Sequence, residues 1–227
     1  MTTHNDLPSM NRTLNGVRPE TALIHVTDDW TGSGATWATG IEKITNHLVR
    51  DIESKFTQVR WNYVGMRDQK VGENDEYRLK DGSGADLLRE QAAAKRVGGG
   101  DAEETFAQTV EDGLSDPNVL PNAGATEARG WIMFTTSDTK PADNNSLAEL
   151  GAELKARKIK FYLIGTPGTN LMELVDASGG FFFELTNTPS EAEVAAISAN
   201  LAATVAATLR SGATVRKTTR GETVAAP

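Results

Sequence analysis

Apolar and polar positions along this chain keep two rhythms. Short, mainly apolar runs at Ala22–Val26, Trp131–Phe134 and Lys158–Gly165 read as buried strands. Between them, apolar residues recur at steps of three or four, the spacing of one helix face. Ile41, Ile44, Leu48, Ile52 and Phe56 mark one helix, Leu147, Leu150 and Leu154 another, and Val194, Ile197, Leu201, Val205 and Leu209 the last. A further strand is expected near Thr57–Val64 and a short edge strand around Tyr77–Leu79. Leu87 and Leu88 belong to a brief helix that stops before Gly98-Gly-Gly100. A helix with Phe106 and Val110 inward follows Asp101, a short helix covers Leu171–Val175, and Phe181–Phe183 is a last short strand. Asn145 or Ser146 stands where a helix cap belongs.

Strands that alternate with helices predict an α/β fold: a central, mostly parallel sheet with one short antiparallel edge strand and helices on both faces. One domain over residues 20–210 is expected. Residues 1–19 and 211–227 lack periodicity and read as mobile tails. The longest apolar run, Val194 to Leu209, is shorter than the ~20 residues that span a bilayer and carries four polar side chains, so it reads as an Ala-rich surface helix.

Charge and composition narrow the chemistry. The chain has 227 residues and a formal net charge of -8, which argues against broad electrostatic binding to nucleic acid or an anionic membrane. With no cysteine there are no disulfides, zinc–thiolate sites, iron–sulfur clusters or thiol nucleophiles. Three histidines (His4, His25, His47) are little material for a catalytic triad, and His25 inside an apolar strand reads as a core residue. No apolar stretch resembling a secretory signal opens the sequence, so the expectation is a soluble cytoplasmic protein.

Three polar loops leave the carboxyl ends of strands: Asp28–Gly34, Gly65–Asp68 and Thr135–Asp138. In an open parallel sheet, ligands bind there, at the topological switch point. Asp29-x-Thr31-x-Ser33 can aim a carboxylate and two hydroxyls at one point, a donor set for a hard divalent cation. The same residues also serve as ordinary turn and cap formers, with Asp29 in an Asx turn, Ser33 at a helix start and Asp101 as an N-cap. Arg67 and Asp68 read as a surface pair, Trp37 and Trp131 as packing residues, and Trp30, in a polar loop, as a contact surface.

Asp29-Trp-Thr-Gly-Ser33 after a buried strand resembles the Asp-x-Ser/Thr-Gly-Ser signature of von Willebrand factor A-type (vWA) domains. Val59–Asp68 resembles the second strand of a subfamily whose strand ends in Tyr-Arg-Asp. Gly98-Gly-Gly-Asp-Ala-Glu-Glu104 resembles its Gly-Gly-Gly-Asp-x-Pro-Glu turn, and Lys158–Gly165 with Leu171–Gly180 a later strand and helix. The resemblance spans roughly residues 20 to 210. It implies a Rossmann-like vWA fold with a metal-ion-dependent adhesion site that holds Mg²⁺ or Mn²⁺ through Asp29, Thr31, Ser33 and Asp101. A carboxylate of a partner protein would complete the coordination. The family's last aspartate falls here on Thr136 or Ser137, with Asp138 one or two residues late; a one-residue loop adjustment would let Asp138 take the role.

That reading is a non-enzymatic protein-binding module, of a kind that works beside AAA+ ATPases or in larger assemblies. One alternative is a nucleotide-binding enzyme using Gly32-Ser-Gly34, although Trp37 stands where the third glycine of a dinucleotide fingerprint belongs. The other is a metal-free scaffold of the same fold.

Overall fold

Nine residues, Thr21–Asp29, form β1 and are buried from Ala22 onward, as a strand covered on both faces must be. In the structure, a computed structural model, residues 21–98, 103–117, 119–120, 127–166, 169–186 and 188–211 are described. The expected tails, 1–19 and 211–227, lie outside them except for Ser211, which belongs to the last helix.

From β1 the chain passes through a 3₁₀ turn at Ser33–Trp37 into α1 (Ala38–Glu53) and back into β2 (Gln58–Met66). β3 (Glu76–Gly82) pairs antiparallel with β2, followed by α2 (Gly84–Ala92). The two-residue strand β4 (Glu103–Glu104) leads into α3 (Phe106–Ser115), then β5 (Glu127–Thr135), the second two-residue strand β6 (Asp138–Thr139) and α4 (Leu147–Ala156). β7 (Ile159–Gly165), α5 (Thr169–Ser178), β8 (Phe181–Glu184) and α6 (Glu191–Ser211) complete the order.

Six strands lie in the order β3-β2-β1-β5-β7-β8, all parallel except the edge strand β3. This is the expected Rossmann-like α/β architecture. The chain builds outward from β1 through β2 and β3, then returns to β1's other side with β5. The switch point is therefore the crevice between β1 and β5.

Two apolar clusters fill the two faces. Ala22, Ile24 and Val26 of β1 pack with the α1 stripe Ile41, Ile44, Leu48 and Ile52 and the α6 stripe Val194, Ile197, Leu201, Val205 and Leu209. On the other face Trp131 and Met133 of β5 pack with Phe106 and Val110 of α3, Leu150 and Leu154 of α4, and Leu171 and Leu174 of α5. Ser146 caps α4 with a full capping box, accepting from Glu149 N while Glu149 returns a bond to Ser146 N.

Several boundaries differ from the expectation. α3 opens at Phe106, four residues later than a helix beginning beside Asp101 would. α5 runs ten residues, longer than the Leu171–Val175 stripe alone. α6 carries a stretch, Glu191–Leu209, that is long and apolar enough to cross a membrane by length and composition. Its expected stripe is packed on the sheet and on α1, and 56% of an 18-residue window of that stretch is buried inside the fold. Its alanines let two helices approach closely, so its low polarity reflects core packing.

Candidate functional site

Asp29 ends β1 and Thr136 follows β5, so the crevice at the switch point lies directly between them. Asp29 is fully buried. Its Oδ1 accepts from Thr31 N at 2.9 Å and from Thr31 Oγ at 2.6 Å, the Asx turn that the Asp-x-Thr spacing allows. Its Oδ2 accepts from Thr136 Oγ at 2.7 Å. Gly34 sits against this turn: a Cβ at that position would overlap the Asp29 carbonyl, so only glycine lets the chain double back here.

Main-chain bonds fasten the loop. Trp30 N donates to Met66 O, Val97 N to Trp30 O and Gly32 N to Gly98 O, each at 3.0 Å. The Asp29 turn is thus tied both to the end of β2 and to the start of the triple-glycine segment. Of that segment, Asp101 lies outside the described residues, and for Ser33 only the backbone, at the start of the 3₁₀ turn, is described.

The carboxylate that meets Asp29 from this side is Glu104. β4 pairs with β6, Lys140 N donates to Glu104 O at 2.7 Å, and this small two-stranded sheet holds Glu104 inward with 2% of its surface exposed. Glu104 hydrogen-bonds with Thr31, while its Oε2 is buried with no hydrogen-bond partner. Burial, then the charges of Asp29 and Asp68, push the Glu104 carboxyl up to about 7, against the Thr31 bond and the Lys140 charge. Thr31 Oγ has one proton to give, and two carboxylates compete for it.

Asp68 stands beside this pair. It is fully buried, caps the 3₁₀ turn Gln69–Val71 by accepting from Lys70 N, and pairs with Lys140 Nζ at 2.6 Å. Asp68 is therefore no surface partner of Arg67, which instead pairs with Glu76 and donates to Val97 O. Asp138, the candidate late aspartate, lies in β6 with its Oδ1 accepting from Thr139 N at 2.9 Å. The side chain that reaches Asp29 from the end of β5 is Thr136.

Trp30 corrects a second expectation. Placed in a polar loop, it reads as an exposed contact residue, yet it is 2% exposed. Its Nε1 donates to Tyr63 Oη at 2.8 Å, and the guanidinium groups of Arg67 and Arg78 lie 5.7 and 5.8 Å from its ring. Gly65 lies flat against that ring, where a Cβ would overlap it. Tyr63 passes the network on, donating to Asp28 Oδ2 at 2.9 Å, and Arg96 pairs with the same oxygen. Burial raises Asp28 to about 6, with Arg96 and Tyr63 opposing. The loop thus rests on a buried aromatic and ionic plinth. Glu104, Asp68, Lys140 and Thr136 are all brought in from distant segments, and the local spacing of the first loop carries no sign of them.

No known family profile matches the chain, and no curated protein does so. Solved structures do: 211 chains match, among them the crystal structure of the SpRpn10 VWA domain, at a TM-score of 0.53 and 10% identity. That match covers 78% of this chain and 94% of the other. At this identity the likeness is one of fold: the chain has a vWA-like fold.

Proposed function

We propose that this vWA-like chain is a non-enzymatic protein-interaction module whose binding surface is the β1–β5 crevice, with a divalent cation, Mg²⁺ or Mn²⁺, held there. The observation that carries the reading is the orphaned, buried Glu104 Oε2 beside Asp29 and Thr31. Leaving a buried carboxylate oxygen unpaired is costly, and such groups are commonly retained where a ligand completes them. With Glu104 ionised, Asp29, Glu104 and Asp68 against Lys140 carry two net negative charges, which one divalent cation would balance as it displaces the Glu104 proton.

The donor set fits a hard oxygen-seeking ion. Asp29, Thr31 and Glu104 would hold it, joined by Ser33 and Asp101 from the same two loops. The cation would supply a Lewis-acidic point that takes a carboxylate from a partner protein. The protein's own part is to fix the hydroxyls and carboxylates and to keep water from their far sides through the Trp30 plinth. The cytoplasm is the proposed setting, and AAA+ ATPases or larger assemblies are the proposed kind of partner.

A second reading, the metal-free scaffold, draws on a specific observation too. Both Asp29 oxygens already accept hydroxyl or amide protons, and Lys140 brings an ammonium to the cluster. The nucleotide reading fares worse, because a phosphate cradled by Gly32–Gly34 would lie against buried Asp29.

Thermal unfolding with added Mn²⁺ at constant ionic strength separates the readings. A ligand that binds only the folded chain stabilises it by RT ln(1 + [L]/Kd). The wild type should melt higher in millimolar Mn²⁺, and Asp29→Ala should erase the response. Equal responses in the two proteins would overturn the cation site and leave the metal-free scaffold.

A further inference from the structure

The edge of the sheet beyond β2 is irregular. Register shifts in the β2–β3 pairing turn four successive residues of β3, Tyr77 to Lys80, onto one cavity of about 340 Å³. A regular strand would present only every second residue to it. Asn62 and Val64 of β2 line it as well, with Asp116 and Val119 from the turn after α3. The volume lies in the range of small-molecule sites. Asn62 keeps the walls in place: its Nδ2 donates to Val119 O at 2.7 Å and its Oδ1 accepts from Asp81 N at 2.8 Å. Both β3 and the turn after α3 are thereby bound to β2.

The lining carries charges of both signs. Arg78 is engaged by Glu90 and Glu76. Lys80, exposed on the same strand, makes no ion pair among the described residues. Asp116 stands at the C-cap of α3, its N–H bonded to Asp112 O at 2.9 Å. The carbonyl end of a helix is itself negative, so Asp116 deepens a field that favours a cation. Asp112 and Asp75 add to it. Burial raises the pKa of the Tyr77 phenol, and the charges of Asp75, Asp112 and Asp116 raise it further. The end of the cavity beside α3 is therefore negative, and Lys80, three residues beyond Tyr77 and roughly 10 Å along the strand, makes the other end positive. Between them lie the apolar surfaces of Val64 and Val119 and the Tyr77 ring, 50% exposed. A simple anion is repelled beside α3, and a simple cation leaves Lys80 unanswered. A zwitterion answers both.

We propose that this cavity binds a free α-amino acid with an apolar side chain, its ammonium beside Asp116, its carboxylate on Lys80 and its side chain against Tyr77, Val64 and Val119. The site is separate from the crevice and independent of any cation there. His25, the one residue of β1 that lines it, stands four residues before Asp29, roughly 13 Å along the strand.

L-Phenylalanine is the probe, titrated into the full chain and followed through the backbone amide NMR signals of Tyr77 and Lys80. Phenethylamine keeps the ring and the ammonium, and hydrocinnamate keeps the ring and the carboxylate. Each should bind about fivefold more weakly than phenylalanine, the worth of one exposed ion pair. Lys80→Gln, at an exposed position, should weaken phenylalanine by about as much and leave phenethylamine unchanged. A general loss of structure would weaken both. Phenylalanine that leaves the two amides unmoved at millimolar concentration, or binds Lys80→Gln as tightly as wild type, overturns the site. Phenethylamine or hydrocinnamate binding as tightly as phenylalanine overturns the zwitterion.

Discussion

Thr136 Oγ donates a 2.7 Å hydrogen bond to Asp29 Oδ2, joining two residues 107 positions apart in the chain across the β1–β5 crevice. A hydroxyl thus occupies the place where a second acid from β5 would face Asp29. Thr136→Asp exchanges a donor for a like charge. Without cation the variant should lose about 1–3 kcal/mol, the cost of an unmet buried acceptor beside its equal. With millimolar Mn²⁺ its melting temperature should rise more than that of the wild type. Chemical denaturation with and without Mn²⁺ measures both effects, and an unchanged Mn²⁺ response would remove Thr136 from the account of the site.

Glu104 sets a pH slope. In the folded chain it keeps its proton up to about pH 7, whereas unfolded it releases it near 4.5. Between those values the folded state binds the extra proton, so this contribution to stability is full below pH 4.5 and is lost as pH rises to 7. Glu104→Gln should remove the slope and stabilise the protein by about 1–2 kcal/mol at pH 8. It should also abolish the Mn²⁺ response. Melting curves at pH 5 and pH 8 for the two proteins decide it, because the other buried carboxyls that burial raises to about 6, Asp28 and Asp75, are present in both.

Gly65→Ala tests the plinth under the first loop. The added methyl would overlap the Trp30 ring, which is pinned by Tyr63 and flanked by two arginines. Overpacking of this kind costs about 1–3 kcal/mol. A double variant with Trp30→Leu should recover part of that loss in urea denaturation, since the clash and the ring leave together; no recovery would place the strain elsewhere.

Leu201 is fully buried in the α6 stripe. Leu201→Ala should cost about 2–5 kcal/mol in chemical denaturation, as cavity formation in a close-packed core does. A cost near zero would mean that α6 is not seated on the sheet.

Much of the fold is written in runs and stripes. β1, β5 and β7 are legible because strands covered on both faces must be apolar throughout, and α1 and α6 because a helix buries one stripe. Pairings between distant segments leave no such trace. β4 and β6 are two residues each, and what makes them strands is each other. Trp30 sits among polar neighbours in sequence, and its burial is decided by Tyr63, Gly65, Arg67 and Arg78 arriving from other strands. At the candidate site, Asp29 and Thr31 are readable from their spacing. Glu104 is hidden inside a glycine-rich turn that reads equally well as a plain loop. Thr136 gives no signal at all, because a threonine after a strand is ordinary until its partner is known.

The loop that carries Asp29 is bracketed by three bonds between main-chain atoms alone, from Trp30, Val97 and Gly32. Such a bracket does not read side chains. Mutation can replace nearly every residue along it and leave the donors and acceptors in place, provided glycine survives where the backbones touch. A shared architecture at 10% identity is then no surprise. Here the fold is stored in the path of the chain, and the side chains hung upon it are free to differ.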